Sequence, residues 1–449
     1  EISQVATPIM APRMSEQIQN GIFFMATGLF DRRGPLAGDG VLIILLYFIM
    51  PNQGLFERIN KLACPPVFTQ SWSVFSILPL RGKNRLRNYC LVGRVTRDAT
   101  PGFLRLLVHC LKYGNPMTKK LGYCLLSFVD MPIEEMGEIA YEAEDLGYDR
   151  AYTTESLTDS LAIHMVMAMK TSRIVVGSFI AIIYHRHPHI AAQGAVAISE
   201  MSGGRYILGL GLGHPPRVKG MGMKMGKPSE DIRNYVKEVR GLLEGRRVYD
   251  IPTQTYQGEE LRFRLPKNPV PVYTAAVGEK MTQLGGELSD GLMLYMVPHS
   301  RLRQLIDARD RGAKGAGRKP SDVEVNLGVH TFLSNDLKVA RDKARETLTY
   351  WLALPAYNSS IRESGYEKEA DELKDAFARG DQEALRDGIT DAIIDEFCLV
   401  GPPERCCERL DAFREAGVDV PIMMIDPAEP GEDYPSAMRR TLKGLAPSD

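Results

Sequence analysis

Zinc chemistry finds no foothold in this chain: its seven cysteines include no CxxC pair, and none stands at metal-closing distance from a histidine. Cys64, Cys90, Cys110, Cys124, Cys398, Cys406 and Cys407 instead suit a reducing compartment, and the expected location is cytoplasmic. Cys406 and Cys407 adjoin within a helical pattern, where neighbouring side chains point about 100° apart, so a packing role is expected. Excess charge of one sign is also missing. With 55 basic and 56 acidic residues, a formal net charge of -1 gives no global reason to expect nucleic acid or an anionic membrane as partner. Long apolar runs are missing too. GVLIILLYFIM, residues 40–50, falls short of the roughly 20 residues that a membrane span needs, and the start of the chain lacks the order of a secretory signal. What remains is 44% hydrophobic and 25% charged, the composition of a globular protein with a sizeable core.

The even balance of charge conceals two parts. Before Met117 stand 13 Lys and Arg against 6 Asp and Glu, which leaves the remainder at -8. Residues 1–116 scatter Pro, Gly and Arg among apolar patches such as PGFLRLLVHC, without sustained helical or strand periodicity. The expectation is a poorly structured N-terminal extension, disordered or non-native, with an accessory or membrane-associating segment as the alternative. From Met117 onward, MTKKLGYCLL reads as the start of a domain spanning 117–449.

In that second part, short β-branched or apolar runs alternate with amphipathic stretches. LGYCLLS, RAYTT, IVVGSFI, YILGLGLG, VYTAAV, GLMLYMV, VEVNLGVHTFL and VPIMMI are eight strand candidates. Helical patterns such as IEEMGEIAYEAEDLG, with a proline at its start and a glycine at its end, lie between them. Eight β/α units predict an α/β fold, a TIM barrel with insertions. One insertion follows Gly245 and reads as a short hairpin; the other, residues 355–388, is charged and helical. Each is either a lid or oligomer contact or a solvated decoration.

Active sites of such barrels lie at the C-terminal ends of the strands. The residues expected there are Cys124–Ser127, Thr153–Ser156, the His185-Arg186-His187 cluster, Gly209–His214, Ala275–Lys280 and Tyr295–His299. Gly211 and Gly213 end a strand but no GxGxxG helix follows, so they suit close approach of a flat ring or phosphate tail, or plain turn formation. Ala276, Val277 and Gly278 lead straight into a helix whose first turn holds Glu279 and Lys280: free N–H groups plus a cation make an anion site, unless this is an ordinary βα turn. No recurring carboxylate–histidine set points to a metal.

Together AEDLGYDRAYTTES, TSRIVVGSFIAIIYHRHP, AAQGAVAISEMSGGRYILGLGLG, KPSEDIRNYVKEVRGLL, VPVYTAAVGEKMTQLGGELSDGLML and LVGPPERCCERLDAFREAGVDVPIMM resemble the luciferase-like superfamily of flavin and deazaflavin enzymes. The resemblance is strongest to the branch that uses coenzyme F-420, which includes the methylenetetrahydromethanopterin reductases. It implies a deazaflavin ring held at the barrel mouth, hydride exchanged at one ring carbon, and a small organic acceptor. It also implies a non-proline cis peptide joining Phe179 and Ile180, or one residue earlier joining Ser178 and Phe179, as a bulge behind the ring, with the phosphate tail reaching Ala276, Val277 and Gly278 near Lys280. The chain departs from the family at Cys124, where several members carry an acid, and at Glu155-Ser156, where they carry an acid–histidine pair. Glu155 is the carboxylate expected to transfer a proton, against a capping or ion-paired role. An FMN-dependent monooxygenase fed with reduced flavin and a non-catalytic deazaflavin-binding protein are the alternatives. Homodimerisation through helices flanking the barrel is a further expectation of the family.

Overall fold

The computed structural model describes residues 119–246 and 263–447, together with six short strands elsewhere. The chain divides into two compact units, 1–116 and 117–449. In the first, strands β1 (Ala26–Leu29), β2 (Leu42–Met50), β3 (Ser76–Leu80) and β4 (Arg87–Val95) form an antiparallel sheet in the order β1-β2-β4-β3. The apolar run at 42–50 is thus a strand, paired along its length with β4 from Leu42↔Val95 to Met50↔Arg87. The expectation of disorder for the rest of 1–116 falls outside the described residues.

In the second unit eight parallel strands close a ring. They are β5 (Gly122–Leu125), β6 (Arg150–Thr153), β7 (Val175–Ser178), β9 (Tyr206–Gly211), β12 (Val272–Ala276), β13 (Gly291–Tyr295), β14 (Glu324–Leu333) and β16 (Val420–Ile425). Pairing of β9 with β12 and of β16 with β5 shuts the barrel. All eight are the runs picked out in the sequence. Their near-continuous burial is what parallel strands require, with helices on one side and the barrel interior on the other. Two short strands extend the sheet: β8 (Ala181–Ile182) pairs with β9, and β15 (Cys398–Gly401) with β14. The hairpin β10 (Thr255–Tyr256) with β11 (Glu259–Glu260) lies in the first insertion, as read from the sequence.

Helices α1 (Ile133–Asp145), α2 (Ser160–Lys170), α3 (Pro188–Ser202), α4 (Pro215–Gly220), α5 (Pro228–Leu243), α6 (Glu279–Leu288) and α7 (Leu302–Gly315) follow successive strands. Local chemistry sets their ends. Asp159 accepts from Leu161 N–H to start α2, while His187 caps α3 ahead of Pro188, and Gly203 closes that helix at φ 70°. The second insertion is helical: α8 (Leu337–Ala353) leads into α9 (Pro355–Arg362), α10 (Glu367–Arg379), α11 (Gln382–Asp387) and α12 (Asp391–Phe397). These helices share a core of their own, with Leu348, Leu352, Ile361, Leu373 and Ile393 buried together. Helices α13 (Pro403–Glu415) and α14 (Tyr434–Gly444) complete the ring. Among the described residues, no helix is long and apolar enough to cross a membrane.

Hydrogen bonds across the barrel fix which residues point inward. Strands β6 and β14 are not neighbours, yet Tyr152 OH donates to Asn326 Oδ1 at 3.1 Å and Arg150 reaches Glu324. The period of two then places Gly328 and His330 of β14 on the same inner row. The Arg150–Glu324 end is the floor, so the mouth is the end carrying Ser178, Gly211, Tyr295 and His330.

Candidate active site

At the mouth the chain leaves β7 through a bulge whose Phe179–Ile180 peptide is cis, the first of the two bonds that the resemblance implies. Phe179 is buried and turns into the barrel, 5.9 Å between ring centroids from Tyr152, and a Cβ built on Gly328 would stand 3.1 Å from its Cζ. Ser178 holds β7 to β9: its hydroxyl donates to Gly209 O at 2.8 Å and accepts from Gly209 N–H at 3.0 Å. The side chain of Ser178 is therefore occupied by the sheet. Gly211 and Gly213 also serve packing. A Cβ at Gly211 would stand 2.7 Å from Ile180 Cγ1, and Gly213 adopts φ 68°. Their lack of side chain needs no ligand to explain it.

Glu155, Ser160, His185 and Arg186 converge beside this bulge. Arg186 grips Glu155 with two bonds of 2.9 Å, His185 Nδ1 approaches Oε1 at 2.8 Å, and Ser160 Oγ donates to Oε2 at 3.0 Å. The Glu155 and Arg186 side chains are only 5% and 9% exposed. A bidentate guanidinium–carboxylate pair is the strongest local arrangement these groups can make. It leaves Glu155 with no free lone pair directed at a substrate. His185 supplies, from the loop after β8, the histidine that the sequence lacks next to Glu155. Its Nε2 is buried without a partner. His187, the third member of the cluster, caps α3.

Where β12 ends, Gly278 is extended and a Cβ built on it would meet open space. The first bond inside α6 runs from Thr282 N–H to Gly278 O, so the N–H groups of Glu279, Lys280 and Met281 have no acceptor within the helix. A cavity of about 360 Å³ opens there, lined by Val277, Gly278, Glu279, Arg301, Ser359, Ser360 and Glu363. Arg301 is the cation of this cavity. It is 6% exposed, bonds Ser360 Oγ at 3.2 Å and pairs with Glu363, and its Nε is buried without a partner. Lys280, expected to serve as that cation, is exposed and does not line the cavity. Ala276 is buried in register with Leu294. Of the two carboxylates on the lining, Glu363 is balanced by Arg301 and Glu279 by Arg311. Helix-end N–H groups, a buried guanidinium and room without a Cβ together fit an anionic tail.

A third group was only partly foreseen. Tyr295 was expected at the mouth, but its partners His330 and Asp426 were not. Tyr295 OH stands 2.8 Å from His330 Nε2, and His330 Nδ1 stands 2.6 Å from Asp426 Oδ2. Rings of Trp351, near the end of α8, and of Tyr357, from the second insertion, meet Tyr295 edge-on at 5.9 and 6.0 Å, and both also approach His214. Cys124 is buried in strand β5, where burial raises its pKa and keeps the thiol protonated. Among the described residues no set of three His, Cys, Asp or Glu is placed to hold a metal.

Known proteins carry the same architecture. A curated relative, the 5,10-methylenetetrahydromethanopterin reductase of Methanolobus tindarius, is 29% identical over 292 residues, 64% of this chain and 89% of the relative. The solved coenzyme F-420-dependent tetrahydromethanopterin reductase of Methanopyrus kandleri superposes with a TM-score of 0.59 at 21% identity, covering 73% of this chain and 97% of that one. The oxygenating constituent of 3,6-diketocamphane monooxygenase from Pseudomonas putida, solved with FMN, superposes at 0.54 with 17% identity, covering 74% and 97%. Residues 110–420 match the luciferase-like monooxygenase family, and this chain belongs to it.

Proposed function

We propose that this chain is an oxidoreductase that transfers a hydride between coenzyme F-420, a deazaflavin, and a small organic acceptor. The observation that carries the reading is the relative that covers nine-tenths of its own length on this chain and is a reductase of a methylene-carrying pterin. When bound, the deazaflavin supplies a ring carbon that gives or takes a hydride and, unlike a flavin, reacts poorly with oxygen. The chain's own residues do the rest. Ser178, Phe179 and Ile180 form a backbone shelf at the mouth against which a flat ring rests, and Gly211 and Gly213 keep the neighbouring rim low. The N–H groups following Ala276, Val277 and Gly278 take the phosphate, Arg301 faces the tail, and Lys280 adds a more distant positive charge. Glu155 acts by holding His185 and Arg186 in place.

FMN is the second reading, favoured by the FMN-bound monooxygenase of the same fold. Fluorescence titration of the purified protein with F-420 and with FMN decides between them. F-420 is expected to bind more tightly. Arg301→Ala is expected to weaken F-420 about tenfold, roughly 1.4 kcal/mol, while leaving the tail-free deazaflavin unaffected. Tight FMN binding without response to F-420 would overturn the first reading.

A further inference from the structure

Among the described residues, side chains of the barrel strands build a polar network at each end of the barrel. The network at the floor, built on Glu324, lies where barrel residues serve stability; the other, Tyr295–His330–Asp426, lies where they serve chemistry. We propose that Tyr295, backed by His330 and Asp426, transfers the proton that accompanies hydride transfer at the mouth. This rests on the hydride-transfer reading above and adds to it a proton donor and acceptor, which Glu155, fully engaged with Arg186, does not supply.

The placement follows from the strands. Tyr295 is the last residue of β13, paired in register with Gly328, and Gly328 and His330 share the inner row of β14. Phe179, the first residue of the cis peptide, packs against that same Gly328. The phenol therefore stands beside the shelf on which the ring is proposed to rest. Asp426 follows β16 directly, anchored by its N–H to Thr331 O.

The three groups are ordered as a relay. An ionised carboxylate only accepts, so the 2.6 Å contact assigns the proton to His330 Nδ1 and turns the Nε2 lone pair to Tyr295. His330 is 2% exposed, and Asp426 13%. Burial, reinforced by Tyr357 and Asp426, holds the Tyr295 pKa well above its ordinary value, so the phenol carries its proton until a reaction removes it. The next residue, Met296, takes φ 51°, a left-handed conformation that costs a residue with a side chain about 1–2 kcal/mol. A tyrosine needing only to satisfy its hydroxyl would not require a histidine fixed from behind by a carboxylate.

The chemistry balances in both directions. When an alcohol is oxidised, its C–H bond breaks and the hydride, with its electron pair, passes to the oxidised deazaflavin. The O–H proton goes to the Tyr295 oxygen, the Tyr295 proton goes to His330 Nε2, and a carbonyl remains. In reduction, the carbon takes a hydride from the reduced deazaflavin while the heteroatom takes the proton of Tyr295. The phenol is restored through His330, whose Nε2 takes a proton from solvent and passes it to the Tyr295 oxygen, which returns the imidazole to its neutral form with the proton on Nδ1.

The test uses the full chain and the variants Tyr295→Phe, His330→Gln and Asp426→Asn. In protein labelled with ¹⁵N-histidine, without cofactor, His330 is expected to carry its proton on Nδ1. Its Nε2 resonance is expected to move in Tyr295→Phe, and the Nδ1–H signal to weaken or move upfield in Asp426→Asn. With F-420 and a panel of 2-propanol, aldehydes and methylenetetrahydromethanopterin, Tyr295→Phe is expected to lower kcat about 10²- to 10⁴-fold. The F-420 dissociation constant and KM should stay within about threefold. His330→Gln carries the same kinetic test if Tyr295→Phe does not fold. A proton on Nε2, an Nε2 resonance that ignores Tyr295→Phe, or an unchanged kcat would overturn the relay. Wild-type protein that fails to bind F-420 overturns the hydride-transfer reading instead; if F-420 binds but no probe turns over, the histidine resonances alone decide.

Discussion

Glu155 and Arg186 stand 31 residues apart in the chain and meet as a nearly buried pair, with His185 and Ser160 filling the remaining acceptor sites of the carboxylate. Removing one member of such a pair strands the other charge without water, which costs about 3–5 kcal/mol. Arg186→Met is therefore expected to lower unfolding stability by roughly that amount, as read by urea denaturation. Glu155→Gln should lower it less, because the amide still accepts from Ser160. A Glu155→Gln protein with wild-type stability but no turnover would instead make Glu155 the proton-transfer group that the sequence suggests. The sequence put both residues at the mouth, since each follows a strand. It did not show that they face each other, because that depends on how the loop after β8 folds back over β6.

At the level of elements, the eight strands and several of the helices after them, such as α1, α3, α5, α6 and α13, were legible from periodicity, helped at some of them by a proline start or a glycine stop. The glycines of β9 show where legibility ended. They read as openings for a ligand, but a Cβ on Gly209 would stand 2.1 Å from the Ser178 carbonyl oxygen and 2.4 Å from Met293 Sδ, and one on Gly211 would meet the tip of Ile180. Backbone cannot step aside as a side chain can. Gly209→Ala is thus expected to cost more than the usual 1–3 kcal/mol of overpacking, and Gly211→Ala less than Gly209→Ala. Thermal melts of the two variants check this, and equal losses would sink the account. His330 was readable in principle, since VEVNLGVHTFL places it two steps beyond Gly328 and four beyond Asn326 on the inner row. Its partner Asp426 ends another strand in plain view. What the sequence withheld was the register between β14 and β16, Met424 opposite His330, which brings Asp426 to the imidazole. Arg301 and Ser360 were not legible at all, because their meeting depends on how α9 packs against the start of α7.

Across the whole molecule, the barrel separates a charged floor from a chemically equipped mouth, and acid should distinguish the two. At the floor Glu324 receives Lys120 at 2.7 Å, Tyr273 OH at 2.8 Å and Arg150 at 3.3 Å. Burial alone would raise its pKa, but Arg150, with Lys120 and Tyr273, outweighs that and holds it at about 2 against an ordinary 4.5. A carboxylate with a depressed folded pKa adds stability above its unfolded pKa and loses it as pH falls through the folded one. The shift corresponds to about 3 kcal/mol, present in full above about pH 5 and fading from about pH 4.5 towards 2. Glu324→Gln lacks this contribution at every pH and also leaves Arg150 unpaired. The stability gap between wild type and variant, from urea unfolding at a series of pH values, should stay constant from pH 7 to about 5 and then shrink by about 3 kcal/mol. Asp419, whose pKa burial raises, titrates in both proteins and largely cancels from the difference. A gap that stays constant down to pH 2.5 would mean that Glu324 gains nothing from its charge, leaving only the shape of the floor to hold β6, β12 and β14 together.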